Sequence, residues 1–218
     1  MKVVAVIPMK LNNSRLPQKN TKPFTNGNPL CSYIMNTIRK VNRIDDIYVY
    51  CSNPSIKEYI PEGVKYLSRP ESLDTDKSTM NDVLRSFVND VDAEIYILTH
   101  ATAPFLSAES FEKGISAVAD NGYDSAFSVK KIQEFLWYNN KPLNYDPHNI
   151  PRTQDLDPYY VETCGFYIFK KELITEQNRR IGDNPFMVEL SDIESVDINV
   201  PSDFAIADAI YNNIIKEK

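Results

Sequence analysis

The chain has 218 residues, 42% of them hydrophobic and 25% charged, with 24 basic and 30 acidic side chains and a formal charge of −6. That length suits one substantial domain, and the apolar content is that of a globular protein rather than a disordered one. The acidic balance excludes the extended basic surface on which nucleic-acid binding rests, and no apolar run approaches the ~20 residues needed to span a bilayer.

In chain order, Val3-Val-Ala-Val-Ile7 is too short for a helix and β-branched enough for a buried strand. Leu30–Val41 reads as a helix with Leu30, Ile34, Ile38 and Val41 on one face, and Ile47–Cys51 as a second strand. Met80, Val83, Leu84, Phe87, Val88 and Val91 follow helical spacing, with Ser78 as the expected cap. Ile95–Thr99 is a third strand, and Phe111, Ile115 and Val118 mark a helix that Gly122 would terminate. This alternation predicts a mainly parallel sheet with helices on both faces. From Lys130 to Tyr160 the chain turns rich in Pro, Asn and Tyr without a helical pattern, which reads as a hairpin-like insertion or dimerisation arm. Strands are expected again at Gly165–Phe169, Phe186–Leu190 and Ser195–Ile198, before a closing helix from Pro201.

Charge is unevenly spread along this order. The first 44 residues carry eight Lys and Arg and no Asp or Glu, so the rest of the chain, with 16 basic against 30 acidic residues, stands at −14. Lys10, Arg15, Lys19 and Lys22 fall in one loop directly after the first strand. A basic loop at that place in an open α/β sheet is where a phosphorylated ligand binds. No glycine precedes Gly27, which excludes both G-x-G-x-x-G and the P-loop and leaves Lys10-x4-Arg15-Leu-Pro-x-Lys19. Cations at these positions can surround a triphosphate, while the N–H groups of Leu11, Asn12 and Asn13 form an anion nest. Asn12 and Asn13 then take the left-handed backbone a glycine would supply. The first apolar run is too short for a secretory leader, and Cys31, Cys51 and Cys164 lack metal-type spacing, so reduced thiols in a cytoplasm are expected. His148 reads as a solvated loop residue, and Trp137 with Phe135, Leu136 and Tyr138 as core or dimer contact. Arg179-Arg180 reads as a solvated pair able to meet a substrate carboxylate.

Several segments carry a resemblance to one family. Ile7-Pro-Met-Lys10 through Arg15-Leu-Pro-Gln-Lys19 is similar to the I-P-A-R-x-x-S-x-R-L-P-x-K loop of the cytidylyltransferases that activate acidic sugars, the CMP-sialic acid and CMP-Kdo synthetases. Arg69-Pro-Glu-Ser-Leu-Asp-Thr-Asp76-x-Ser78, Leu98-Thr-His-Ala-Thr-Ala-Pro-Phe105, Arg152–Leu156, Tyr160–Phe169 and Ser195-Val-Asp-Ile-Asn-Val-Pro-Ser-Asp-Phe204 resemble further family blocks, in the family's order. The resemblance implies a three-layer α/β nucleotidyltransferase fold, GT-A-like and Rossmann-like, with a mainly parallel mixed sheet. It implies one domain over residues 1–218, with 130–160 as a dimerisation or acceptor-side insertion.

It further implies that CTP and a small acidic sugar react to give a CMP-sugar and pyrophosphate, with Mg²⁺ as cofactor and a homodimer as the assembly. Lys10, Arg15 and Lys19 take the catalytic roles. Pro8, Met9, Leu11, Asn12, Asn13, Asn20, Arg69 and Ser78 hold the nucleotide, His100, Thr102 and Gln154 the acceptor, and Asp197 and Asn199 the metal. Lys10 stands where the family has Arg, His100 where the sialic acid branch has Gln, Asn199 in place of a second carboxylate, and Thr163-Cys164 in place of Asn-Gly. These departures gather on the acceptor and metal side. Three alternatives therefore stay open: a cytidylyltransferase of the same fold acting on an alcohol or sugar phosphate, a glycosyltransferase, and a non-catalytic nucleotide-binding homologue. A glycosyltransferase would place D-x-D after a central strand, whereas Asp74-Thr-Asp76 follows Arg69-Pro70 in a loop.

Overall fold

Seven consecutive buried residues, Val3–Met9, form β1. In the computed structural model, which describes residues 1–216, the strands that follow are β2 (Asp46–Cys51), β3 (Lys65–Ser68), β4 (Ile95–Thr99), β5 (Ser125–Ile132), β6 (Trp137–Tyr138), β7 (Lys141–Pro142), β8 (Tyr159–Lys170) and β9 (Pro185–Glu189). Seven of them make one sheet in the order β3-β2-β1-β4-β8-β5-β9. β3, β2, β1 and β4 run parallel, β8 is antiparallel to both neighbours, and β5 pairs β9 in parallel. The sheet is thus mainly parallel and mixed, as expected.

Strand alternation splits the core into two faces. Val3, Ala5 and Ile7 point toward α1 (Leu30–Ile38) and α3 (Ala108–Asp120), packing with Ile34, Ile38, Phe111 and Ile115. Val4 and Val6 point the other way, toward α2 (Met80–Asp90) and α4 (Lys171–Thr175), with Leu84, Phe87 and Leu173. Each such buried side chain contributes about 1.5–3 kcal/mol. A third cluster joins Leu16 and Phe24 of the loop after β1 to Leu30, Phe105, Ile198 and Phe204, the last on α5 (Pro201–Ile210). The rings of Phe24 and Phe204 meet edge to face at 4.9 Å, fixing that loop against the closing helix.

Chain order places the crevice. From β1 the chain passes outward through β2 and β3, then returns to lay β4 on β1's other side. Ligands in open α/β sheets bind beyond the strand ends where that order reverses, here between β1 and β4.

Some expected elements differ. α2 is capped by Thr79, whose hydroxyl accepts from the Asp82 N–H at 3.2 Å while Asp82 returns a bond to the Thr79 N–H. Ser78 bonds Thr75 and the Ser72 carbonyl instead. Ser195–Ile198 is not a strand. Ser195 closes a turn onto the Ser191 carbonyl, and Ile198 donates one bond to the Thr102 carbonyl. α1 stops at Ile38 rather than Val41. β3, β5 and α4 carried no strong period; β3 is short and half exposed at the sheet edge. β5 and β8 run into the Pro/Asn-rich segment from both sides, and within it β6 and β7 form a hairpin turning on Asn139 and Asn140, both at positive φ. Trp137 and Tyr138 are exposed there and belong to no core. Cys31, Cys51 and Cys164 are all free thiols. No helix among the described residues is long and apolar enough to cross a membrane.

Phe24→Ala should cost about 3–5 kcal/mol, the range for emptying a buried aromatic site, measured by urea denaturation. A loss under 1 kcal/mol would mean that the third cluster does not hold the loop.

Candidate active site

The loop leaving β1 is held at its base and open at its tip. Asn20, buried, donates from Nδ2 to the Lys10 carbonyl at 3.0 Å. Leu16 anchors the middle in the third cluster. The left-handed residue is Gln18, at φ 55, whose carbonyl takes the N–H groups of Thr21 and Lys22. Asn12 and Asn13 do not adopt positive φ, so the expected substitution for glycine is not used: the left-handed turn is made at Gln18, further along the loop.

Two cavities flank this loop. Lys10, Asn13, Ser14, Arg15, Leu16, Lys19, Asp76 and Asn199 line one of about 230 Å³. Leu11 and Asn12 line the next, about 460 Å³, with Ser52, Asn53 and Pro54 beyond β2 and with Glu71 and Asp74 after β3. In the first, Asn13 Oδ1 is buried and accepts no hydrogen bond among the described residues.

Lys19 is the pivot. Its buried ammonium donates to the Ile198 carbonyl at 2.8 Å, while the Ile198 N–H donates to Thr102 at 2.9 Å. One residue thereby ties the loop after β1 to the loop after β4. Burial pushes the Lys19 pKa down, Asp197 and Asp203 pull it up, and Arg15 opposes them. Arg15 donates from Nη2 to Asn199 Oδ1 at 2.9 Å, and Asn199 Nδ2 donates to Asp197 Oδ2 at 2.6 Å. Asp203, not singled out from sequence, caps α5 by accepting the N–H groups of Asn199 and Val200 at 2.8 and 3.0 Å. Those bonds hold its carboxyl below the usual range. Its signal was present in the Pro201-Ser-Asp203 start of a helix. Among the described residues the Lys10 ammonium has one ion pair, to Asp76 at 3.5 Å.

The remaining positions divide. Pro8 and Met9 lie inside β1 opposite Tyr50 and Cys51, with Met9 packed in the core, and neither lines either cavity. Arg69 is buried behind the second cavity, bound to Asp74, whose other oxygen takes the Ser52 hydroxyl at 2.5 Å. Ser78 is half-buried beside Thr75 and lines neither cavity. His100 and Thr102 stand at the end of β4, half-buried. Burial pushes the His100 pKa down to about 4; Asp197 opposes this, while Arg180 and Lys19 add to it. Gln154 stays exposed on the excursion, where its carbonyl accepts from Gln133.

The donor set suits a hydrated Mg²⁺ shared with phosphates, not a closed protein cage. Among the described residues no three His, Cys, Asp or Glu side chains converge on one point. Asp197 keeps one oxygen outside its bond to Asn199, and Mg²⁺ commonly takes one or two carboxylates plus phosphate oxygens and water. The Asn199 carbonyl accepts from Arg15, which uses one of its two lone pairs.

Known proteins share this fold. A solved CMP:2-keto-3-deoxy-manno-octonic acid synthetase, in complex with CTP, superposes over 100% of both chains with a TM-score of 0.74 at 17% identity. The fold is therefore that of the three-layer α/β nucleotidyltransferases. The family model for cytidylyltransferases matches residues 4–216, and the chain belongs to that family. Relatives include N-acylneuraminate cytidylyltransferase A of Danio rerio, 28% identical over 94% of this chain and 50% of that protein. CMP-N,N'-diacetyllegionaminic acid synthase of Legionella pneumophila is 26% identical over 96% of both. The chain spans about half the length of the N-acylneuraminate cytidylyltransferases it matches.

His100 gives a pH test. Its folded pKa lies below the unfolded value of 6.5, so between about 4 and 6.5 the unfolded chain binds a proton that the folded chain does not. This contribution to stability is complete above pH 6.5 and is lost as pH falls toward 4. In urea melts across that range, His100→Gln should flatten the decline; an unchanged slope would place the imidazole in a less perturbed environment.

Proposed function

We propose that the chain transfers a cytidylyl group from CTP to the hydroxyl of a sugar acid, releasing pyrophosphate. The observation that carries this is the cationic crevice at the ends of β1 and β4, with Lys10, Arg15 and Lys19 opposite Asp197, in a chain of this family. The triphosphate occupies the smaller cavity and the nucleoside the larger one, between Leu11-Asn12 and Ser52-Asn53-Pro54. Arg69 braces that wall through Asp74, and Asn20 holds the loop's base.

The chemistry is an in-line displacement at the α-phosphorus. The acceptor hydroxyl oxygen forms the new P–O bond and gives its proton to water, the bond from the α-phosphorus to the oxygen bridging it to the β-phosphate breaks, and pyrophosphate leaves with that electron pair. Such a reaction depends chiefly on fixed positive charge where the non-bridging and leaving oxygens gain negative charge. Lys19 is preorganised for this: one donor is spent on Ile198, and two N–H groups remain. Arg15 keeps donors beyond its bond to Asn199. His100, neutral at physiological pH, can accept a hydrogen bond from the incoming hydroxyl. When bound, Mg²⁺ would neutralise phosphate charge; Asp197 would hold it, joined by Asn199.

The segment 130–160 is the contact to a second copy or to the acceptor in this reading. β5 and β8 carry it off the same edge of the sheet as the crevice, and it exposes Trp137, Tyr138, Leu143 and Ile150. Gln154 joins the acceptor site only if this segment closes over it. Use of CTP and three free thiols favour a cytoplasmic setting.

Pyrophosphate release with CTP, Mg²⁺ and a panel of sugar acids tests the reaction. Lys10→Met should lower turnover roughly 10²–10³-fold, the range for removing one charge-stabilising donor, without loss of stability, since the one ion pair of Lys10 among the described residues is to the exposed Asp76. Asp197→Ala should lose turnover. Full activity in both variants would sink the assignment of charge.

A further inference from the structure

Arg179 and Arg180 are adjacent but opposite in role. Arg179 turns outward, its guanidinium on Asp183 at 2.7 and 2.6 Å and on Gln177 at 2.7 Å. Arg180 turns inward over the sheet, its guanidinium carbon 4.3 Å from the centre of the Tyr167 ring. Nη1 donates to Asn81 Oδ1 at 3.1 Å. Nη2 lies 3.9 Å from Glu162 Oε1, beyond hydrogen-bond length, and Nε is buried with no partner. The Nε–Nη2 edge, the side-on fork that matches a carboxylate, is thus the edge without a hydrogen bond among the described residues, its Nε end shielded from solvent. Tyr167 and Asn81 fix the guanidinium plane, and the Arg180 and Glu162 side chains are 28% and 40% exposed, so solutes can reach the cluster.

Its place in the sheet gives the fork a purpose. Tyr167 pairs with Leu98, two residues before His100, and both side chains lie on the α2 face. His100 follows on the same alternation, and it feels the charges of Arg180, Lys19 and Asp197 together. Arg180 therefore borders the crevice from the α2 side, beside the residue that ends β4. Glu162 offsets part of its charge and no lysine is bonded into the cluster, so a planar monoanion fits better than a phosphate dianion.

We propose that Arg180 anchors the acceptor's carboxylate through Nε and Nη2, with Tyr167 as the backing ring and Asn81 as the rotational stop. This rests on the cytidylyl-transfer reading above, and names Arg180 as a substrate-binding residue that sets the acceptor class.

The test is saturation-transfer NMR with N-acetylneuraminate and 2-keto-3-deoxy-manno-octonic acid, their methyl esters, and glycerol 3-phosphate. It is run with saturating CTP in EDTA so that no turnover occurs. Wild type should bind at least one acid, with its ester at least tenfold weaker. Arg180→Met should weaken that acid at least tenfold while keeping the CTP-induced thermal shift, and Arg180→Lys should recover part of the loss. Glu162→Gln, which removes a competing carboxylate, should bind the acid as well or better, and it decides the matter if Arg180→Met does not fold. Equal acid binding by Arg180→Met, equal binding of acid and ester, binding of the phosphate alone, weaker binding by Glu162→Gln, or no acid binding by wild type would each overturn the proposal. Parallel pyrophosphate assays separate the two claims. Release unaffected by Arg180→Met keeps the transfer reaction and rejects the anchor; Arg180-dependent acid binding without release does the reverse.

Discussion

A buried lysine bonded to one backbone carbonyl organises this molecule. Taking an ammonium out of water is costly unless it is paired and hydrogen-bonded. Lys19 meets both conditions through the Ile198 carbonyl and the nearby carboxylates of Asp197 and Asp203. Because Ile198 also donates to Thr102, the same pairing draws three segments together: the loop after β1, the loop after β4 and the approach to α5. The aromatic contacts of Phe24 with Phe105 and Phe204 close the arrangement from below. A cationic crevice with a carboxylate on its far wall follows from that geometry.

Much of this was legible in the sequence, for identifiable reasons. β1 and β4 are long buried apolar runs, and α2 and α3 carry strong helical spacing, so period and composition found them and with them the switch point between β1 and β4. Clustered cations marked the loop because their charge stands out against an acidic chain. The rest depended on tertiary contacts. β3 is a four-residue edge strand with no fully buried residue, so it left no alternation to read. Ser195–Ile198 looked like a strand by residue type, yet its bonding goes to Ser191 and Thr102 rather than to a neighbouring ladder. The left-handed turn fell on Gln18, a residue with no special liking for it, because the loop's closure onto Thr21 and Lys22 demands it there.

Both halves of the crevice combine bonded residues with buried polar atoms left unpaired. On the nucleotide side Asn20, Leu16, Lys19 and the Arg69–Asp74–Ser52 chain are buried or directly bonded. Among the described residues Asn13 and Arg69 on that side, and Arg180 on the other, keep buried polar atoms without partners, and Asn199 bridges Arg15 and Asp197. Unsatisfied buried groups are the usual cost of a site shaped for a partner. The acceptor side was harder to read from the sequence because its residues come from the end of β4, β8 and the turn after α4, far apart in the chain and without a shared spacing.

The claim on which the account turns is that the crevice between β1 and β4 selects CTP. Thermal unfolding with CTP, UTP, ATP and GTP, each with and without Mg²⁺, measures this without any choice of acceptor. A ligand at about 100 times its Kd adds about 2.7 kcal/mol, several degrees for a chain of this size. The account predicts such a rise for CTP, larger with Mg²⁺, and little for the other three. An equal response to all four nucleotides would contradict base selection, and no response to any would leave the cationic loop without its triphosphate.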